Sequence, residues 1–241
     1  MPLREWVLLP TWWIGQEVLA QFRWARGEGA DNTAALMTLI VIAHHAEQQT
    51  GQARLTYAQF CEATGISRAK LSRALSVLQD RGIIERWRDG RSSFQLTGYD
   101  PTRGWCKLPA RSLYVGPTVD AFRHFRLRVP TELNALKLYL LFAARRGRDT
   151  NMANISYDKI TAYTGLRREQ IRAATAMLAA LSLAYVERVP SAVSEHGVAN
   201  AYRLAGLEPH AHMGTIGRRL TAQDFDLARY QVGDSMAGLD L

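Results

Sequence analysis

The chain has 241 residues, 47% of them hydrophobic, and carries a formal charge of +8 with a pI of about 9.8. That length holds two ordinary domains with real cores. The longest apolar run, Leu36 to Ala43, is far too short to span a bilayer. A basic excess of this size points to an anionic partner, most often nucleic acid. Four of the 30 basic residues are Lys and the rest are Arg, whose planar fork bonds two acceptors at once.

In chain order, Trp6-Val-Leu-Leu-Pro10 reads as a short strand ended by proline. A helix from about Thr11 to Arg26 would carry Trp12, Trp13, Ile14, Val18, Leu19, Phe22 and Trp24. So much aromatic area suits a core, or a homodimer contact through this Trp-rich helix. Gly27 to Asp31 reads as a linker, and Ala34 to Glu47 as a strongly apolar helix. A short helix then opens at Thr56, where Thr56-x-x-Gln59 is a capping box, and must turn at Thr64-Gly65. The next helix sets Leu71, Ala74, Leu75 and Leu78 on one face, the i, i+3, i+4, i+7 stripe of a half-buried helix. Arg73 falls opposite that stripe, Lys70 and Ser72 flank it, and Ser67 and Arg68 lie at its start. This is the pattern of a helix-turn-helix whose second helix can enter a major groove. Ile83 to Arg88 and Ser92 to Gly98, joined through Asp89-Gly90, read as a hairpin. Such a wing would carry Arg86, Arg88 and Arg91, placed for phosphate contact.

Residues 99–131 form a basic connector with some structure. Trp105 to Pro109 and Phe125 to Pro130 there resemble the opening Trp6 to Pro10 strand. The pattern then repeats. Shifted by 100 residues, the chain aligns with itself without a gap from Ala35 to Arg81, with identities such as Ala43/Ala143, Tyr57/Tyr157, Thr64/Thr164, Gly65/Gly165, Arg68/Arg168 and Leu78/Leu178. The same turn, stripe and upstream helix in register indicate an internal duplication. The expected fold is mainly α with small β-hairpin wings, as two tandem winged helix-turn-helix domains. The first spans residues 1–98 and the second 132–207, and a tail of residues 208–241 is partly flexible.

The phrase Thr64-Gly-Ile-Ser-Arg-Ala-Lys-Leu-Ser-Arg-Ala-Leu, closing with Leu78-Gln-Asp-Arg-Gly-Ile-Ile-Glu-Arg86, resembles bacterial winged-helix DNA-binding domains. Two such units, led by Leu-Pro and Val-Pro strands, are similar to plasmid and mobile-element replication initiators. The resemblance implies duplex DNA binding through both recognition helices and wings. The leading expectation is an origin binder, with a transcriptional regulator as the alternative and a protein-binding adaptor as the second; fold alone does not decide between them. In the second unit Glu169 stands at the Ala69 position and Ala173 at the Arg73 position, while Arg167, Arg168, Gln170 and Arg172 remain as candidate contacts.

Nothing in the sequence indicates an enzyme. His210-Ala-His212, with Tyr230 downstream, has the spacing of rolling-circle nickases but sits in a loop context. No zinc-type Cys pair and no phosphate-cradling Gly-Lys-Ser motif occurs. No metal or cofactor is expected. The partners expected are double-stranded DNA and replication or transcription machinery, and no membrane. The start, Met1 to Trp6, lacks the order of a secretory leader, so a cytoplasmic location with reduced thiols at Cys61 and Cys106 is expected.

Overall fold

The computed structural model describes residues 3–87, 93–147, 150–190 and 198–207. Helices and small antiparallel sheets share these residues, so the architecture is mixed, with more sheet than the mainly α expectation. Residues 208–241, with His210, His212 and Tyr230, lie outside the described residues, as do Arg88 and Arg91.

Strand β1 is Trp6–Pro10, as expected. The long helix expected after it does not form. Trp12–Gly15 (α1) makes a single turn, Glu17 takes a φ of 60°, and a 3₁₀ turn follows at Val18–Gln21. A left-handed residue cannot propagate an α-helix. The aromatic side chains turn inward instead. Trp13 and Phe22 are buried, and the Trp12 indole N–H donates to the Thr97 carbonyl at 2.8 Å. Trp24 lies so close over Gly29 that any Cβ there would meet its ring. Trp12 and Trp24 remain partly exposed.

Helix α2 (Gly29–His45) is buried on nearly every side, which suits its all-round apolar sequence. Strand β2 (Gln52–Arg54), helices α3 (Tyr57–Thr64) and α4 (Arg68–Asp80), and strands β3 (Ile84–Trp87) and β4 (Ser93–Leu96) complete a first unit. Its sheet runs β2-β4-β3, so the expected hairpin gains a third strand. The connector supplies β5 (Trp105–Pro109), the small hairpin β6 (Tyr114–Val115) and β7 (Thr118–Val119), and a 3₁₀ turn at Asp120–His124. Its third Trp-like stretch, near Phe125 to Pro130, is a loop; Pro130 instead opens α5 (Pro130–Ala144), where its missing N–H costs nothing. A second unit follows: α5, β8 (Met152–Asn154), α6 (Tyr157–Thr164), α7 (Arg168–Ala180), β9 (Ala184–Pro190) and β10 (Val198–Leu204). Its sheet order, β8-β10-β9, reproduces that of the first.

The two units meet through like elements. Strand β1 pairs antiparallel with β5, Trp6 opposite Pro109 and Pro10 opposite Trp105, so two Trp-to-Pro strands pair with one another about Leu8 and Lys107. Helix α2 packs on α5. The 3₁₀ turn at Val18–Gln21 packs on α6, and β7, the matching stretch of the connector, packs on α3. Each contact has its mirror, which is the signature of an isologous, two-fold-like joint built inside one chain. One continuous apolar core runs through both units, from Leu36 and Ile40 to Leu136 and Leu140.

Three successive carbonyls of the N-terminal segment secure this joint. The Arg81 guanidinium donates to the Gln21 carbonyl (3.2 Å), the Lys137 ammonium to the Phe22 carbonyl (3.0 Å), and the Asn32 amide to the Arg23 carbonyl (2.8 Å). Arg81 also lies over the Phe22 ring, 4.3 Å from its centroid. Residues from both units thus grip the same short strap. Burial lowers the Lys137 ammonium to about 8, with nearby Arg23 adding to the effect.

Candidate nucleic-acid interface

The first helix-turn-helix is set by local chemistry that the sequence announces. Thr56 and Gln59 form the expected capping box, with Gln59 N–H on Thr56 Oγ1 (3.2 Å) and Thr56 N–H on Gln59 Oε1 (2.8 Å). Gly65 takes a φ of 72°, closing α3 in the left-handed conformation that a side chain resists. Ser67 caps α4 by accepting from the Lys70 N–H at 3.2 Å. That leaves the Ser67 hydroxyl hydrogen available to a phosphate. Leu71, Ala74, Leu75 and Leu78 are buried, as the stripe requires.

The outward face of α4 carries Arg68, Ser72 and Arg73, all exposed. Arg68 makes no ion pair among the described residues. Lys70 departs from expectation. Its ammonium is bound to Asp31 Oδ1 at 2.7 Å and its side chain is only 21% exposed, so it is withdrawn from the reading face. The same oxygen lies 3.4 Å from Arg73 Nε, while the Arg73 side chain remains 61% exposed. The Gly-rich surroundings of Asp31 read as a linker in the sequence. Its place in the first turn of α2, beside α4, is a non-local contact without a sequence signature.

Arg86 also departs from its expected role. It shares the inner face of β3 with Ile84, and its Nε and Nη2 are buried without a hydrogen-bond partner among the described residues. Trp87 beside it is 47% exposed. The expected phosphate contacts of Arg88 and Arg91 fall outside the described residues.

In the second unit the geometry repeats but the chemistry thins. Gly165 takes a φ of 69°, and Ile171, Ala174, Thr175 and Leu178 are buried. Arg167, Arg168, Glu169, Arg172 and Ala173 are exposed. Arg168 meets Asp158 at 3.1 Å, an open surface pair worth little. Gln170 accepts the Arg167 N–H at 2.9 Å, so it caps its own helix rather than facing outward as a free reader. Just before α5, Arg126 and Arg128 are exposed, and both their backbone N–H groups donate to the carboxylate of Glu132, at 2.7 and 3.2 Å. Glu132 is 3% exposed, and Leu127 between the arginines has a φ of 57°. The loop that presents these two cations is therefore fixed in shape.

Residues 32–92 match a family model described as MarR family. The match runs from within α2 past β3 and stops short of β4, and with the capped turn and basic outward helix it supports a winged helix-turn-helix of the DNA-binding kind. No curated protein and no solved structure matches the chain. No helix among the described residues is long and apolar enough to cross a membrane.

Proposed function

We propose that the chain is a sequence-specific duplex-DNA-binding transcriptional regulator in which one chain acts as two unlike half-readers. The observation that carries this reading is α4: a half-buried helix entered by a Gly turn, with Arg68, Ser72 and Arg73 outward, inside a segment that matches a family of winged-helix regulators. The two-fold-like joint supports reading α7 as the second half-reader. Operator symmetry mirrors protein symmetry, so the site would be an imperfect inverted repeat. Its second half would depend more on phosphates, reached by Arg168, Arg172 and the fixed Arg126-Leu127-Arg128 loop. The origin-binding reading has the duplicated Trp-to-Pro strands on its side and no matching family. Regulation is therefore preferred.

Replacing Arg73 by Ala should cost about 1–3 kcal/mol of cognate binding if the guanidinium pairs with guanine. Folding should hold, because the side chain is largely in solvent. The measurement is affinity for a site selected from random duplexes by the full chain, beside a scrambled control. An unchanged cognate affinity would remove α4 as the reader. Mapping the bound sites in the genome separates the roles. Sites at promoters whose output changes on deletion support regulation, whereas sites clustered at an origin that needs the chain to fire would overturn it.

A further inference from the structure

We infer that Asp31 is a specificity-determining residue of the DNA reader: it sequesters Lys70 and aims Arg73. The inference rests on the DNA-binding reading above and adds a residue from outside the recognition helix. One carboxylate oxygen serves both cations, at 2.7 Å from Lys70 Nζ and 3.4 Å from Arg73 Nε. The carboxylate is itself largely covered, with its side chain 16% exposed. Because Nε is the Arg73 nitrogen paired with the carboxylate, the terminal Nη1/Nη2 fork is the edge this arrangement leaves to span the two major-groove acceptors of guanine. Lys70, a point charge that would bind any phosphate, is held back from the same face.

The duplication supplies an internal control. At the positions matching Asp31, Lys70 and Arg73, the second unit has Thr131, Gln170 and Ala173. All three charges are replaced together, yet α6, the turn and α7 form with the same bounds and the same buried stripe. The fold therefore does not need the cluster. The Arg73 arm of the cluster, with its side chain 61% exposed, adds little stability in any case. A set of three charges that stands or falls with the reading arginine is explained by reading.

The test uses the full chain, with a cognate site selected by the wild type from random duplexes and a scrambled duplex for comparison. Asp31→Asn should raise affinity for scrambled DNA and cut the cognate-to-scrambled ratio roughly tenfold, the scale of one bidentate base contact. The log–log salt slope should steepen by about one, because the freed Lys70 gains a phosphate. Adding Lys70→Met should restore the wild-type slope while the ratio stays low. Asp31→Glu keeps the charge but moves it by a methylene. It should lower the ratio and leave the slope unchanged, and it stands in for Asp31→Asn if thermal melts show that variant unfolded. A wild-type chain that selects a site, with Asp31→Asn and Asp31→Glu keeping both ratio and slope, overturns the inference alone. A wild-type chain that selects no site overturns the DNA reading and the inference with it.

Discussion

Acidifying the protein from neutral pH to pH 4.5 is expected to remove about 2.5 kcal/mol of stability through a single side chain, His44. This imidazole lies fully inside the joint between α2 and the connector. A carbonyl can only accept, so Nε2 carries the hydrogen that reaches the Pro109 oxygen at 2.9 Å, and Nδ1 accepts from the Tyr114 hydroxyl at 3.0 Å. Both ring nitrogens are satisfied in the neutral form, and protonation would make Nδ1 a donor, so the Tyr114 hydroxyl would have to give up donating to it. Burial above all, then the neighbouring His45, holds its pKa at about 3, against a slight opposing pull from the Pro109 bond. Below about pH 6.5 the unfolded chain takes up a proton at this site and the folded chain does not. Stability therefore falls with falling pH, by about 1.4 kcal/mol per unit, until the folded group itself titrates near pH 3. Denaturant melts at several pH values would measure the slope. His44→Gln should flatten it by that amount after its own constant penalty. Parallel slopes for the two proteins would mean that His44 titrates normally in the folded state.

The second large effect concerns DNA geometry. Inserting about five base pairs between the halves of the selected site rotates one half to the opposite face of the duplex. The recognition helices cannot follow, because α2 lies on α5, β1 pairs with β5, and the strap is gripped from both units. Full-chain affinity should fall by about a hundredfold or more, toward that of a site keeping only the first half, since the second contact loses its effective concentration. The footprint should shorten to that half. An insertion with no effect on affinity or footprint would show that one unit does all the reading. Exposed Glu169 at the start of α7 would then fit contact with a protein better than contact with DNA.

The first recognition unit was legible because its determinants are local. A capping box, a left-handed glycine and a four-residue apolar stripe each act within one or two turns of chain, and all three formed where the sequence put them. What the sequence hid was non-local. Strands β2 and β8 are three residues each, too short to show alternation. The tryptophans looked like one helix because aromatic spacing alone does not reveal Glu17 at positive φ. Lys70 looked like a reader because rotation about α4 placed it near the outward face; only the arrival of Asp31 from another helix turns it aside. Gln170 looked like a base contact, and its recruitment as a cap depends on the exact start of α7.

The reciprocal strap has a consequence for how the protein is made. Val18–Gln21 leaves the ribosome early, but its seat on α6 begins only at Tyr157. At about 5–20 residues per second, the nascent segment waits on the order of ten seconds for its partner. During that interval Leu19 and Phe22, both fully buried at the end, have no complete pocket, and β1 is an unpaired apolar edge until β5 emerges. Synthesis that stalls within α5 would leave these surfaces open to chaperones or to aggregation. The two readers become fixed relative to each other only once most of the second unit exists, so a truncated product would not act as a half-strength version of the whole.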